Sequence, residues 1–308
     1  MTRIMITGAS GFLGQALLQA AKAEGHGIVA LTRSTGSSVA QQDSHVQTAK
    51  FDLGAPDAVE HLQSALEGID VVIHAAASFS GTAEAHARDT LKATENLLAA
   101  MTNMTSKPRL VLISSLSVYD VARMTDHEVL TEDSPMVTDA SQRDVYAAAK
   151  AAQERLIAQY DGPYQIIRPG AIFGPHRLWS AQLGFARSGR VFCPGPRTKM
   201  PAISVDRAAQ AILRAAISAN GAATVNLIES NPPTCADWIA ALGLKIVPVP
   251  AKLVHLLGSI TGRGPAWQAR FRPLVYDTTH AARLLEQTTQ VPFKDQIARA
   301  KQAEQDSQ

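Results

Sequence analysis

"RIMITGASGFLGQALLQAAKAEG", residues 3–25, joins a short apolar run, a turn with three glycines and a stretch of helical apolar spacing. Gly8, Gly11 and Gly14 fall at three-residue intervals directly after the first strand. Gly8 permits a tight turn, Gly11 lets a pyrophosphate approach the backbone, and Gly14 lets the helix pack on the sheet. The helix that starts here turns free N–H groups and a partial positive charge toward a phosphate. The interval differs by one residue from G-x-G-x-x-G, but its place at the first strand–helix turn predicts a dinucleotide site. Thr7, Ser10, Phe12 and Leu13 complete that turn.

Outward from the turn, strand and helix patterns alternate. "GIVALT", "VQTAKFDL", "VVIHAAA", "RLVLISS" and "YQIIRPG" read as further strands. Helices are predicted over 11–24, 56–66, 83–101 and 144–160. Strands apolar throughout and separated by helices imply parallel βαβ units covered on both faces, and right-handed crossovers give a doubly wound sheet. The fold class is therefore α/β, a Rossmann-type sheet, with a smaller C-terminal α+β substrate lobe. After Arg168 proline and glycine break the pattern. Shorter elements follow: helices over 205–219, 235–242 and 281–285, and a strand at "TVNLI". Residues 1–170 are expected to bind the cofactor and carry the chemistry. Residues 171–308 are expected to form most of the substrate lobe, with some segments returning to the core. The polar tail from 300 to 308 is expected to fray.

The 308 residues are 46% hydrophobic, enough for a sizeable core, and the net charge of +2 gives no reason to expect nucleic acid. No run approaches the ~20 apolar residues that span a bilayer, and no signal segment precedes the first strand, so a soluble cytoplasmic protein is expected. Cys193 and Cys235 are the only cysteines and have no metal-type spacing, so neither zinc nor a disulfide is expected.

The end of the second strand bears on which dinucleotide binds. An acid there accepts from the ribose 2′-hydroxyl of NAD; this chain has Thr32, Arg33 and Ser34. A guanidinium grips a 2′-phosphate with paired donors, so Arg33 points to NADP, with NAD still open. Asp52, beside Leu53 at the end of the third strand, is placed either to accept from the adenine amino group or to cap its loop.

"VYAAAKAAQERL" puts Tyr146 and Lys150 four apart on one helix face. An ammonium near a phenol favours the phenolate, which makes the tyrosine a usable acid or base beside a carbonyl or alcohol.

Together, "TGASGFLG", "HAAA", "VLISSLSVY", "VYAAAK" and "IIRPGAIFGP" stand in an order and spacing that resembles the extended short-chain dehydrogenase/reductases, the epimerase/dehydratase-like branch. The likeness covers roughly residues 1–217. It implies that Tyr146 is the catalytic acid/base, that Lys150 also holds the nicotinamide ribose, and that Ser115 is the catalytic hydroxyl, with Ser114 as the competing assignment. Ala75, Ala76 and Ala77 would line the cofactor groove. The resemblance also implies a homodimer through the helices 83–101 and 144–160.

Departures narrow the reaction. The dehydratases of that branch carry Asp-Glu after the catalytic hydroxyl, where this chain has Leu116 and Ser117. Nucleotide-sugar members have Asn in R-x-x-N-V-x-G-P, where this chain has Ala171 in a hydroxysteroid-dehydrogenase-like "RPGAIFGP". With Arg33, these point to NADPH-dependent reduction, or the reverse oxidation, of a carbonyl or secondary alcohol in a small molecule. The alternatives are a nucleotide-sugar epimerase with tightly bound NAD and a non-catalytic NADP-binding regulator. Between Gly170 and Val205 lie Arg177, Arg187, Arg190, Arg197 and Lys199 with no acid. Arg177 and Arg187 are candidates to hold an anionic substrate group, against the alternative of a solvated basic loop. His74 reads as a structural histidine, and His176, Trp179 and Phe185 stay outside the catalytic set.

Overall fold

The computed structural model describes all residues except 34–45, 80, 219–220, 222, 261–263, 287, 289 and 307–308; Ser34 lies outside the described residues. Among the described residues seven strands form one sheet: β1 (Arg3–Thr7), β2 (Gly27–Thr32), β3 (Val46–Lys50), β4 (Val71–His74), β5 (Arg109–Ile113), β6 (Tyr164–Pro169) and β7 (Thr224–Leu227). Their spatial order is β7-β6-β5-β4-β1-β2-β3. From β3 to β6 every neighbouring pair is parallel. The order reverses between β1 and β4, and ligands of such sheets bind at the carboxyl ends of the strands flanking that reversal.

The helices of this α/β frame are α1 (Phe12–Ala23), α2 (Ala58–Ala65), α3 (Ala83–His86), α4 (Ala93–Thr102), α5 (Val145–Ile157) and α6 (Val205–Ile217). Alternate strand residues point to opposite faces, and both faces are buried, hence the unbroken apolar runs. Met5, Leu31, Val72, Leu110 and Leu112 pack with Leu62, Leu97, Met101 and Ile157 of α2, α4 and α5. Each such aliphatic side chain contributes about 1.5–3 kcal/mol by leaving water. The helix expected over 83–101 is interrupted: Ala87–Lys92 forms a π-helical turn between α3 and α4. At that turn the Thr94 hydroxyl donates to the Thr90 carbonyl at 2.6 Å, and Ser78 N–H donates to the Thr90 hydroxyl at 3.0 Å.

The chain divides into two compact units. The first comprises Met1–Val118, Val145–Arg168 and Asp206–Val225; the second comprises Tyr119–Asp144, Pro169–Val205 and Asn226–Gln308. Tyr119–Asp144 thus clusters with the second unit, and Asp206–Val225 with the first.

In the second unit, strands Ala171–Phe173 and Ala202–Ser204 pair in parallel. Strands Phe185–Arg187 and Arg190–Cys193 form a hairpin whose second strand also pairs with Lys245–Pro248. Its helices are α7 (Cys235–Ala241), α8 (Ala251–Ile260), α9 (Gly264–Phe271), α10 (Thr279–Leu285) and α11 (Phe293–Asp306). Phe173, Trp238 and Phe293 pack edge to face around its core, each pair of rings 5.3 Å apart. The tail expected to fray is instead helical to Asp306: Ile297 and Ala300 are buried, and Lys301 Nζ donates to the Ala241 carbonyl at 2.9 Å.

Cys193 and Cys235, distant in sequence, are both buried free thiols joined by a hydrogen bond. That bond lowers the Cys193 thiol to about 7 and, with burial, pushes Cys235 up. Among the described residues no helix is long and apolar enough to cross a membrane, and no group of three His, Cys, Asp or Glu could hold a metal ion.

Candidate active site

The first unit brings the loops after β1 and β4 together at the reversal of strand order. Gly8 has φ +68°, and a Cβ there would lie 2.9 Å from Ala76 N and 3.0 Å from the Ala75 carbonyl carbon. A Cβ on Gly14 would stand 2.2 Å from the Gly8 carbonyl oxygen. The turn therefore excludes side chains at both positions. Gly11 is the N-cap of α1 and offers its first N–H groups no side-chain acceptor. Ser10 and Gly11 are exposed, and Phe12, Leu13, Ala75, Ala76 and Ala77 are half-buried. A glycine-lined helix N-terminus against a small-residue loop fits a dinucleotide pyrophosphate.

Thr7 is placed otherwise. It is fully buried; its hydroxyl donates to His74 Nδ1 at 2.8 Å and accepts from Ala76 N–H at 3.1 Å. It braces the two loops from beneath. His74 contacts the Thr94 hydroxyl through Nε2 at 3.0 Å, so both ring nitrogens are engaged inside the sheet. Burial pushes its pKa down to about 3, and the positive charge of Lys150 acts in the same direction.

At the adenosine end expected from the sequence, Arg33 pairs with Asp89 at 3.2 Å, and Arg88 reaches the other oxygen of that carboxylate at 2.7 Å. Both guanidiniums are largely exposed. Their hydrogen bonds, that of Arg88 foremost, hold Asp89 below the usual carboxylate range. Asp52 caps its own loop by accepting from Gly54 N–H at 3.0 Å, and the Leu53 carbonyl accepts from Asn96 at 2.8 Å.

The two serines that follow β5 part company. Ser114 is buried and donates to Glu154 Oε1 at 2.5 Å. Ser115 is half-buried, and its hydroxyl accepts from Ser117 N–H at 3.1 Å. On α5, Tyr146 is half-buried, with its ring 5.4 Å from Phe79 and 6.1 Å from His86. One turn further on, Lys150 is buried and donates to the Ile113 carbonyl at 2.7 Å and to Gln153 Oε1 at 2.9 Å. That first bond ties α5 to the end of β5, two residues before Ser115. Burial lowers Lys150 to about 7, against the nearby Glu154, which raises it.

Arg177 and Arg187 belong to the second unit. Arg177 closes a turn by donating its N–H to the Gly174 carbonyl at 2.9 Å. Arg187 stands opposite Arg190 across the hairpin, beside Ser188 and Gly189 at φ +48° and +73°. Left-handed conformations at both central residues are what a tight two-residue hairpin demands.

Sequence reasoning passed over Gln153, Thr94, Asp89, Arg88, His86 and Phe79. For Gln153 a signal existed, since three residues beyond Lys150 on a helix is a neighbouring position. For Asp89 none existed, because only the fold brings the Ala87–Lys92 turn beside Arg33, which is distant in sequence.

Comparison with known proteins gives a consistent picture. The NAD dependent epimerase/dehydratase family matches residues 4–229. A 2-alkyl-3-oxoalkanoate reductase of Stenotrophomonas maltophilia is 32% identical over 217 residues, 68% of this chain and 63% of the relative. A 4-hydroxy-2-methyl-3-oxo-4-farnesyl-3,4-dihydroquinoline-1-oxide ketoreductase of Stigmatella aurantiaca is 34% identical over 178 residues, 56% of this chain and 51% of the relative. The chain thus aligns with somewhat over half the length of these curated relatives. Among solved structures, a UDP-glucuronic acid 4-epimerase of Bacillus cereus in complex with UDP-glucuronic acid and NAD superposes with a TM-score of 0.73. It is 17% identical, and the superposition covers 100% of both chains, a likeness of fold alone.

Proposed function

This chain belongs to the NAD dependent epimerase/dehydratase family, enzymes of the extended short-chain dehydrogenase/reductase type, and from that premise we propose that it is an NADPH-dependent carbonyl reductase. The observation that supports the proposal is the bond from Lys150 Nζ to the Ile113 carbonyl, which ties α5, the helix that carries Tyr146, to the end of β5 two residues before Ser115. Tyr146 delivers the proton to the carbonyl oxygen, Ser115 donates a hydrogen bond to that oxygen as charge develops, and Lys150 biases the phenol electrostatically. The Gly8–Gly14 turn and the Ala75–Ala77 loop hold the dinucleotide, and Arg33 with Arg88 receives a 2′-phosphate. The nicotinamide supplies the hydride. The two curated relatives described above are named as reductases of 3-oxo compounds, so the substrate class we propose is a ketone of a small organic molecule, 2-alkyl-3-oxo acids first.

The test is NADPH oxidation by the purified chain against a panel of 3-oxo acids and other ketones. Turnover with NADPH that Tyr146→Phe abolishes, with cofactor binding retained, is the expected result. Absence of turnover across the panel would remove the proposal.

One observation favours a second reading. The Asp89 carboxylate beside Arg33 can accept from a ribose 2′-hydroxyl, as acids near the second strand do in NAD sites. A purified protein that retains NAD and interconverts nucleotide sugars without net cofactor consumption would be an epimerase instead.

A further inference from the structure

We propose that Gln153 is a positioning residue for Lys150: its side-chain amide, oriented by Thr94, supplies one of the two acceptors that hold the buried amine at the end of β5 and so governs its charge. The orientation follows from counting hydrogens. Thr94 gives its only hydroxyl hydrogen to the Thr90 carbonyl at 2.6 Å. Toward Gln153, at 2.8 Å, and toward His74 Nε2, at 3.0 Å, it can therefore only accept. The Gln153 amide nitrogen must face Thr94, which leaves Oε1 to accept from Lys150 Nζ at 2.9 Å. By the same count His74 carries its hydrogen on Nε2, and Nδ1 accepts from Thr7, whose oxygen accepts from Ala76 N–H. The line from the cofactor loop to the lysine thus has one consistent set of donors and acceptors. Reversing the Gln153 amide would set two acceptors against each other at Thr94 and two donors at Lys150.

Gln153 is fully buried and uncharged, so it contributes by geometry rather than by net charge. The ionisable groups around Lys150 are few. Its own helix carries Tyr146 and Glu154, and Glu154 is bonded to Ser114 and to Arg168 of β6. β4 contributes His74, neutral at physiological pH, β5 contributes the Ile113 carbonyl, and α4 contributes Thr94. A buried ammonium held largely by neutral acceptors loses its proton more readily with each acceptor removed.

The inference rests on the proposed role of Lys150 only for its catalytic consequence. It is tested without substrate by NMR of the full chain labelled with [ε-13C]lysine, the Lys150 signal being assigned by its loss in Lys150→Arg. Gln153→Leu, which removes the acceptor, should lower the Lys150 titration midpoint by about one pH unit, and Gln153→Glu should raise it by about one to three. The alkaline limb of kcat/KM for NADPH-dependent reduction should move with the midpoint, in opposite directions for the two variants. A merely structural role would lower stability in both and give no opposed shifts. Unmoved midpoints, or shifts of the same sign, would overturn the assignment; if Gln153→Leu does not fold, the sign of the Gln153→Glu shift decides. Opposed midpoints with no ketone reduced by the unmodified protein would sink the proposed function alone, whereas reduction with unmoved midpoints would sink the Gln153 assignment alone.

Discussion

Glu154 and Arg168 face each other inside the first unit through hydrogen bonds from Arg168 Nη2 to Oε2 at 2.7 Å and from Nε to Oε1 at 3.0 Å and Oε2 at 3.3 Å. Both side chains are about 5% exposed, and Ser114 adds a further bond to the same carboxylate. Removing one partner strands a charge in a medium that cannot solvate it. Arg168→Met and Glu154→Leu should each cost about 3–5 kcal/mol in urea unfolding, and the double variant much less than their sum. Additive losses would mean the two charges do not depend on each other.

The serines offer a sharper separation. Ser115→Ala should lower kcat roughly 100-fold or more with little change in unfolding free energy, because the residue is only half-buried after β5. Ser114→Ala should do the reverse, costing about 1–3 kcal/mol of stability through the lost hydrogen bond to the charged Glu154 carboxylate while leaving the chemical step near normal. Steady-state kinetics beside denaturant titration reads both; exchanged outcomes would make Ser114 the catalytic hydroxyl.

His74 makes stability depend on acid. In the unfolded chain its imidazole takes a proton near pH 6.5; in the folded protein burial delays this to about pH 3. Between those values the unfolded state binds the extra proton, so unfolding free energy falls as pH falls. Across the whole window the loss is on the order of 4–5 kcal/mol. Urea midpoints measured from pH 7 to pH 3.5 should show this slope, and His74→Asn, though less stable at pH 7, should flatten it.

Arg33 pairs with Asp89, and the proposed NADPH preference rests on that pair. Arg33→Ala should weaken NADPH binding by roughly 10- to 100-fold, the scale of a charged hydrogen bond, and leave NADH nearly unaffected. Asp89→Asn should strengthen NADPH by removing a like charge from beside the phosphate. Calorimetric titration with both cofactors measures these changes, and equal losses for NADH and NADPH in Arg33→Ala would deny the arginine its selecting role.

Gly14→Ala tests the turn itself. The added methyl would lie 2.2 Å from a backbone oxygen, which a side-chain rearrangement cannot relieve. A destabilisation of about 1–3 kcal/mol with loss of dinucleotide binding is expected from such overpacking. Wild-type affinity in a stable Gly14→Ala protein would show that the turn adapts.

What the amino-acid sequence determined by itself is the local part of this protein. The strand–glycine–helix turn at residues 3–25, the parallel strands and the Tyr146–Lys150 spacing are readable because apolar period, glycine and helical pitch act over a few residues. Tertiary structure alone decided that Ser114 turns into the core while its neighbour Ser115 does not, since the deciding partner, Glu154, sits forty residues along the chain. It also decided that Thr7 and His74 brace the loop after β4 from within, and that Arg33 has Asp89 as its partner. The helical tail belongs to the same class, because Ile297 and Ala300 find their apolar surroundings only in the folded second unit. A hydrogen bond or a buried ion pair is short-ranged in space but unconstrained in sequence. Its partners are chosen by strand order and helix packing, which a linear pattern records only indirectly.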